Sequence, residues 1–183
     1  MLPVLLLIAT AVRSQDKRQK IQFSSVNQAG LLTGSNGDAF TIQTITGIKK
    51  DKWFAGIGVG FDYYKDKTVP LFLDIRRDFN TKMNTPFVYA NAGINFRAIT
   101  TEQKRIQNIS STAPGFYYDA GIGWKLKIKH ERAILLSAGY TLKQVQHKSK
   151  TFWGAPTPQL QELNYDRYNF LYRRVVCKIA IQL

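Results

Sequence analysis

The sequence is poor in cysteine, histidine and acidic residues, and beyond its first residues it has no long apolar run. Among 183 residues there is one cysteine, Cys177, so neither a disulfide framework nor a multi-cysteine metal site can form. The two histidines, His130 and His147, leave little material for histidine-based metal or acid–base chemistry. Against 26 Lys and Arg stand 12 Asp and Glu, a formal net charge of +14. Such an excess fits nucleic acid, an anionic membrane surface, or loops that face acidic polymers. Nothing after residue 14 approaches the ~18 consecutive apolar residues of a membrane helix, and helical periodicity is missing.

The apolar run that does exist, "LPVLLLIATAV", is too short to cross a bilayer and suits the core of a secretory signal. Residues 1–14 are read as a signal peptide, with Ser14 before the cut and the mature chain starting near Gln15, although no Lys or Arg precedes the run. No cysteine follows it, so a lipoprotein anchor is not expected. Residues 15–183 form one domain, long enough to close a core.

What is present is alternation with a period of two, in segments of about ten residues, as strands require. In "LYRRVVCKIAIQL" one face carries Leu171, Val175, Cys177, Ile179, Ile181 and Leu183, and the other Tyr172, Arg174, Lys178 and Gln182. "FYYDAGIGWKLKI" splits into Tyr118, Ala120, Ile122, Trp124, Leu126 and Ile128 against Tyr117, Asp119, Gly121, Gly123, Lys125 and Lys127. In "WFAGIGVGFDYY" three glycines alternate with Ile57 and Val59. A phosphate-binding loop needs G-x-G-x-x-G opening a helix. Here the spacing is G-x-G-x-G inside a strand pattern, and these glycines mark a wall that leaves room for bulky neighbours.

Eight strands are expected, at about 18–32, 39–48, 53–64, 69–79, 86–98, 115–129, 132–147 and 169–183. The first is the least cleanly split. "KKDK", "NTKMNT" and "HE" form short connections at one end, while "TTEQKRIQNISSTAPG" and "KSKTFWGAPTPQLQELNYDRY" are the long ones at the other. Asn36-Gly37 is a hairpin signal at the first connection. The apolar faces end in Trp, Tyr and Phe, like the girdles of outer-membrane barrels, whose short turns are periplasmic and whose longer loops lie outside. The expected fold is an all-β, eight-stranded antiparallel up-and-down transmembrane β-barrel, apolar face to lipid and polar face to lumen.

The segments "WFAGIGVGFDYY", "PLFLDI", "TPFVYANAGINF" and "GFYYDAGIGWKLKI" resemble those of small outer-membrane β-barrel proteins, in the signal-plus-eight-strand form found among Bacteroidota porin-like families. The resemblance covers about 15–183. It implies an integral outer-membrane location with both termini periplasmic, and no single activity.

An eight-stranded barrel is only wide enough for side chains to fill. Its lumen is expected to hold Arg76, Lys125, Lys127, Lys143, Arg174 and Lys178 with Asp62, Asp74 and Asp119, paired because unpaired buried charge is costly. The expected role is non-catalytic, without cofactor or metal: structural or accessory, surface interaction, or service as a subunit of a larger envelope complex. The expected partners are outer-membrane lipids, lipopolysaccharide through rim cations such as Lys67 and Lys104, and envelope proteins through the loops 99–114 and 148–168. Nucleic acid is not among them, since alternation scatters the cations into the lumen.

Two other readings stand beside this one. His147 and Ser149, with Glu162 as a third member, resemble the H-x-S arrangement of outer-membrane lipid A deacylases, where a histidine serves as base for a serine nucleophile. A soluble, exported, lipocalin-like ligand-binding barrel is the other alternative.

Overall fold

The computed structural model describes residues 21–34, 37–63, 67–80, 84–98, 109–128, 132–153 and 162–183, with backbone alone in 109–112, 147–153 and 162–168. The signal segment lies outside them. Among the described residues nine strands follow in chain order: β1 Gln22–Thr33, β2 Ala39–Lys50, β3 Trp53–Tyr63, β4 Thr68–Asp78, β5 Asn84–Arg97, β6 Ile109–Ala113, β7 Gly115–Lys127, β8 Ala133–Trp153 and β9 Glu162–Gln182. Every pairing is antiparallel, and β1 meets β9 from Val26↔Gln182 to Thr33↔Val175, which closes the ring.

The barrel has eight walls, because β6 and β7 run along the same edge of β8, β6 opposite Gln146–Ser149 and β7 opposite Ala133–Lys143. Pro114 stands between them and has no N–H to continue the ladder. A second proline acts similarly in β4. The β3–β4 ladder pairs Val59 with Leu71 and Asp62 with Thr68 but skips the position of Pro70, whose ring faces inward.

Alternation sets the two surfaces. Ile57, Leu73 and Ile122 are all over 60% exposed on the outer face, and Val59, Ile75, Val175 and Ile179 share it. Phe54, Phe72, Phe87, Tyr89 and Tyr117 point inward with Val26, Ile45 and Leu135. The glycine rows make space for these rings. A Cβ on Gly58 would stand 2.5 Å from the Phe72 ring, and Cβ atoms on Gly123 and Gly139 would strike Phe87 and Tyr89.

The turns are tight where the chain needs left-handed backbone. Asp51, at φ 55, helps close the two-residue β2–β3 hairpin, and Gly37, at φ 98, donates to Gly34 O at 3.0 Å.

One expectation is corrected. The segments 99–114 and 148–168 are not loops throughout, since β6 occupies 109–113, β8 runs to Trp153 and β9 starts at Glu162. Lys148↔Arg167 to Trp153↔Glu162 continue the β8–β9 ladder past the last β1–β9 pair. A hairpin needs no apolar face to keep its backbone hydrogen-bonded, so the polarity that suggested a loop was compatible with strand.

Candidate functional site

The inward face concentrates the chemistry of this chain. Alternation on β3 turns Asp62 inward; on β4, Asp74, Arg76 and Asp78; on β7, Asp119 and Lys125; on β8, Lys143; on β9, Arg174 and Lys178. All of these are buried, whereas Lys127 is half-buried near the β7 terminus.

Among the described residues one ion pair lies within β4 and three connect different walls. Arg76 Nε donates to Asp74 Oδ1 at 2.8 Å, Lys125 Nζ to Asp78 Oδ2 at 2.9 Å and Lys178 Nζ to Asp119 Oδ2 at 2.6 Å, and Lys143 pairs with Asp62. Neutral groups join them. Asp119 also accepts from the Tyr89 hydroxyl at 3.0 Å and the Tyr117 hydroxyl at 3.2 Å. Tyr117 in turn accepts from Gln43 Nε2 at 3.2 Å, Gln43 accepts from Gln28, and Gln28 Oε1 accepts from Arg76 at 3.1 Å. One chain of hydrogen bonds thus runs from Asp74 on β4 through β1, β2 and β7 to Lys178 on β9. Rings cover the cations as well, with the Lys178 ammonium 4.1 Å from the Tyr89 centroid.

This arrangement answers the cost of buried charge. An ion taken from water loses several kcal/mol unless a counter-ion and further hydrogen bonds replace hydration. Each lysine here has a carboxylate, and Asp119 has three donors.

Several members of the network were not singled out in the sequence. Asp78 carries a plain signal, since it follows Asp74 and Arg76 at the same two-residue step. Tyr117 lies on the polar face of "FYYDAGIGWKLKI", two residues before Asp119, and Tyr89 shares the inward face of β5 with Phe87. Gln28 and Gln43 had weaker signals, because their strands are the least cleanly split; cross-strand pairing brings them opposite each other.

His147 and Ser149 lie on the backbone of β8, opposite Tyr168 and Asp166, and Glu162 lies opposite Trp153 at the start of β9. Their side chains are outside the described residues. Among the described residues no three His, Cys, Asp or Glu side chains converge on a metal position.

No protein-family model and no curated protein matches the sequence. Solved structures do. Neisserial surface protein A (NspA) superposes with a TM-score of 0.56 over 90% of this chain and 99% of its own, at 13% identity. The outer membrane protein OprG from Pseudomonas aeruginosa gives 0.51 over 90% and 95%, at 11% identity. At such identities the likeness is one of fold.

Proposed function

We propose that the chain is an integral outer-membrane barrel whose lumen is plugged by its own side chains and whose role is structural, accessory or surface-interacting rather than catalytic. One observation carries this reading: the apolar surface faces outward between two aromatic rings while the charges pair inside. Trp53, Phe79 and Trp124 are exposed at the short-turn end, and Phe40, Tyr63, Phe96 and Phe116 at the other. Along β3 the ten steps from Trp53 to Tyr63 span about 33 Å, or about 25 Å of height at a tilt of about 40°. That matches the apolar band of an outer-membrane barrel.

The two named structures, one of them titled an outer membrane protein, support the location. The resemblance to Bacteroidota porin-like barrels supports the same assignment more narrowly. By the strand directions, both chain ends then lie on the periplasmic side with the short turns. The long-connection end meets lipopolysaccharide, and Lys67, stacked 5.8 Å from the Tyr63 ring, is one cation positioned for its phosphates. Envelope proteins would dock on the β8–β9 projection. Neither a cofactor nor nucleic acid has a part in this reading, and the His147–Ser149 deacylase is its runner-up. A lipocalin-like barrel is disfavoured, because it needs an apolar calyx and a polar exterior.

The experiment is fractionation. After carbonate and urea washing, most of the protein should remain with outer membranes and migrate as a heat-modifiable band in gels. Recovery in the soluble periplasmic fraction would overturn the proposal.

A further inference from the structure

Ion pairs cross the lumen, yet one of its ends is hollow. At the short-turn end a cavity of about 310 Å³ opens to solvent, within the size range of small-ligand sites. Among the described residues that line it, three are lysines, Lys49, Lys125 and Lys127, and none is acidic. Lys49 is on β2 and the other two are on β7, directly across the barrel, because three strands separate β2 from β7 in either direction. Asp78 engages Lys125. Lys49 lines the same cavity, so it and Lys125 share this end of the lumen with the Asp78 carboxylate.

The neutral wall has a requirement of its own. Gln182 is 4% exposed and donates through Nε2 to Ser24 Oγ at 2.9 Å, which leaves its buried Oε1 without a partner. Both residues line the same cavity. A ligand that satisfies this site must accept hydrogen bonds from ammonium groups and also donate one to an amide oxygen. A fully deprotonated anion does only the first. A phosphate that keeps a proton, or a phosphate ester with a neighbouring hydroxyl, does both.

We propose that this vestibule is a binding site for a hydroxyl-bearing phosphate, with Lys49, Lys125 and Lys127 holding the anion and Gln182 Oε1 accepting its O–H. In the orientation proposed above, the site faces the periplasm. Two sources carry the required chemistry, a soluble glycerol phosphate and the headgroup of phosphatidylglycerol, whose terminal hydroxyls sit beside the phosphate.

The test uses the full chain in neutral detergent micelles, so its failure leaves the membrane assignment untouched. Inorganic phosphate, glycerol 3-phosphate and sulfate are titrated by calorimetry, and binding of phosphatidylglycerol is read in nanodiscs of otherwise zwitterionic lipid. Lys49→Gln with Lys127→Gln spares the buried Lys125–Asp78 pair, and its folding is checked by the heat-modifiable band. Saturable binding of glycerol 3-phosphate, weakened about tenfold or more in the double variant, is the expected result for a soluble source. Binding confined to phosphatidylglycerol, with the same loss, assigns the site to a lipid headgroup. In the soluble case sulfate should bind more weakly than phosphate, and Gln182→Met should remove that preference. Absence of saturable binding in both arms, affinity unchanged in a folded double variant, or sulfate binding as well as phosphate would overturn the proposal.

Discussion

At the residue scale the protein depends on pairing inside a space with no slack. Lys178 is 5% exposed and its ammonium has Asp119 and the Tyr89 ring for partners. Lys178→Met leaves the Asp119 carboxylate with its two tyrosine hydroxyls and no counter-ion, and should cost about 3–5 kcal/mol. Adding Asp119→Asn should return most of that loss, because the amide oxygen still accepts from a tyrosine and no charge is left buried. Denaturant titration of refolding in lipid vesicles measures both. A double variant as unstable as the single would mean that the charge is not what the site is built around. The glycines opposite the rings obey the same constraint: Phe72 occupies the volume that any side chain at position 58 would need.

At the element scale the strands divide into a ring and a projection. The ring is self-sufficient, since β9 is held by β1 as far as Val175 and by β8 along its whole length. Among the described residues, β9 has no strand partner on its β1 side beyond Thr33↔Val175, and the projecting β8–β9 hairpin carries only itself and β6. Replacing residues 148–167 by a short Asn-Gly turn should therefore leave the barrel able to fold and insert, as judged by the heat-dependent gel shift. Complete loss of the folded band would show that the projection is required to close the ring. The two-residue Asp51-Lys52 turn is the opposite case, where the loop fixes the register of its hairpin.

For the whole molecule, the balance of size and charge decides what can pass. Eight strands enclose a lumen that side chains fill, and here four ion pairs and the Phe72, Phe87, Tyr89 and Tyr117 rings occupy it. In the plugged barrel proposed above, the short-turn vestibule is a blind end. Purified protein in planar bilayers should show no steady conductance steps at neutral pH. Regular, long-lived steps would mean that the plug moves aside and that the barrel is a channel.

The sequence alone determined the strands, their two faces and the sign of the assembly, because a period of two is a local property of the chain. "WFAGIGVGFDYY" shows its apolar wall and its glycine row without reference to any partner, and Asp62, Asp74, Arg76 and Asp119 are legible as inward by counting. Tertiary structure alone decided who meets whom. Lys178 and Asp119 are 59 residues apart in sequence, and only closure of the ring sets their strands where the two charges can touch. Gln28 and Gln43 gained their place from the β1–β2 register, and Lys49 and Lys125 share a cavity because β2 and β7 face each other across the lumen. The extension of β8 and β9 past the ring was also hidden, since backbone pairing above an apolar band demands no apolar pattern. Periodicity belongs to one strand, whereas a site inside a barrel belongs to the circumference.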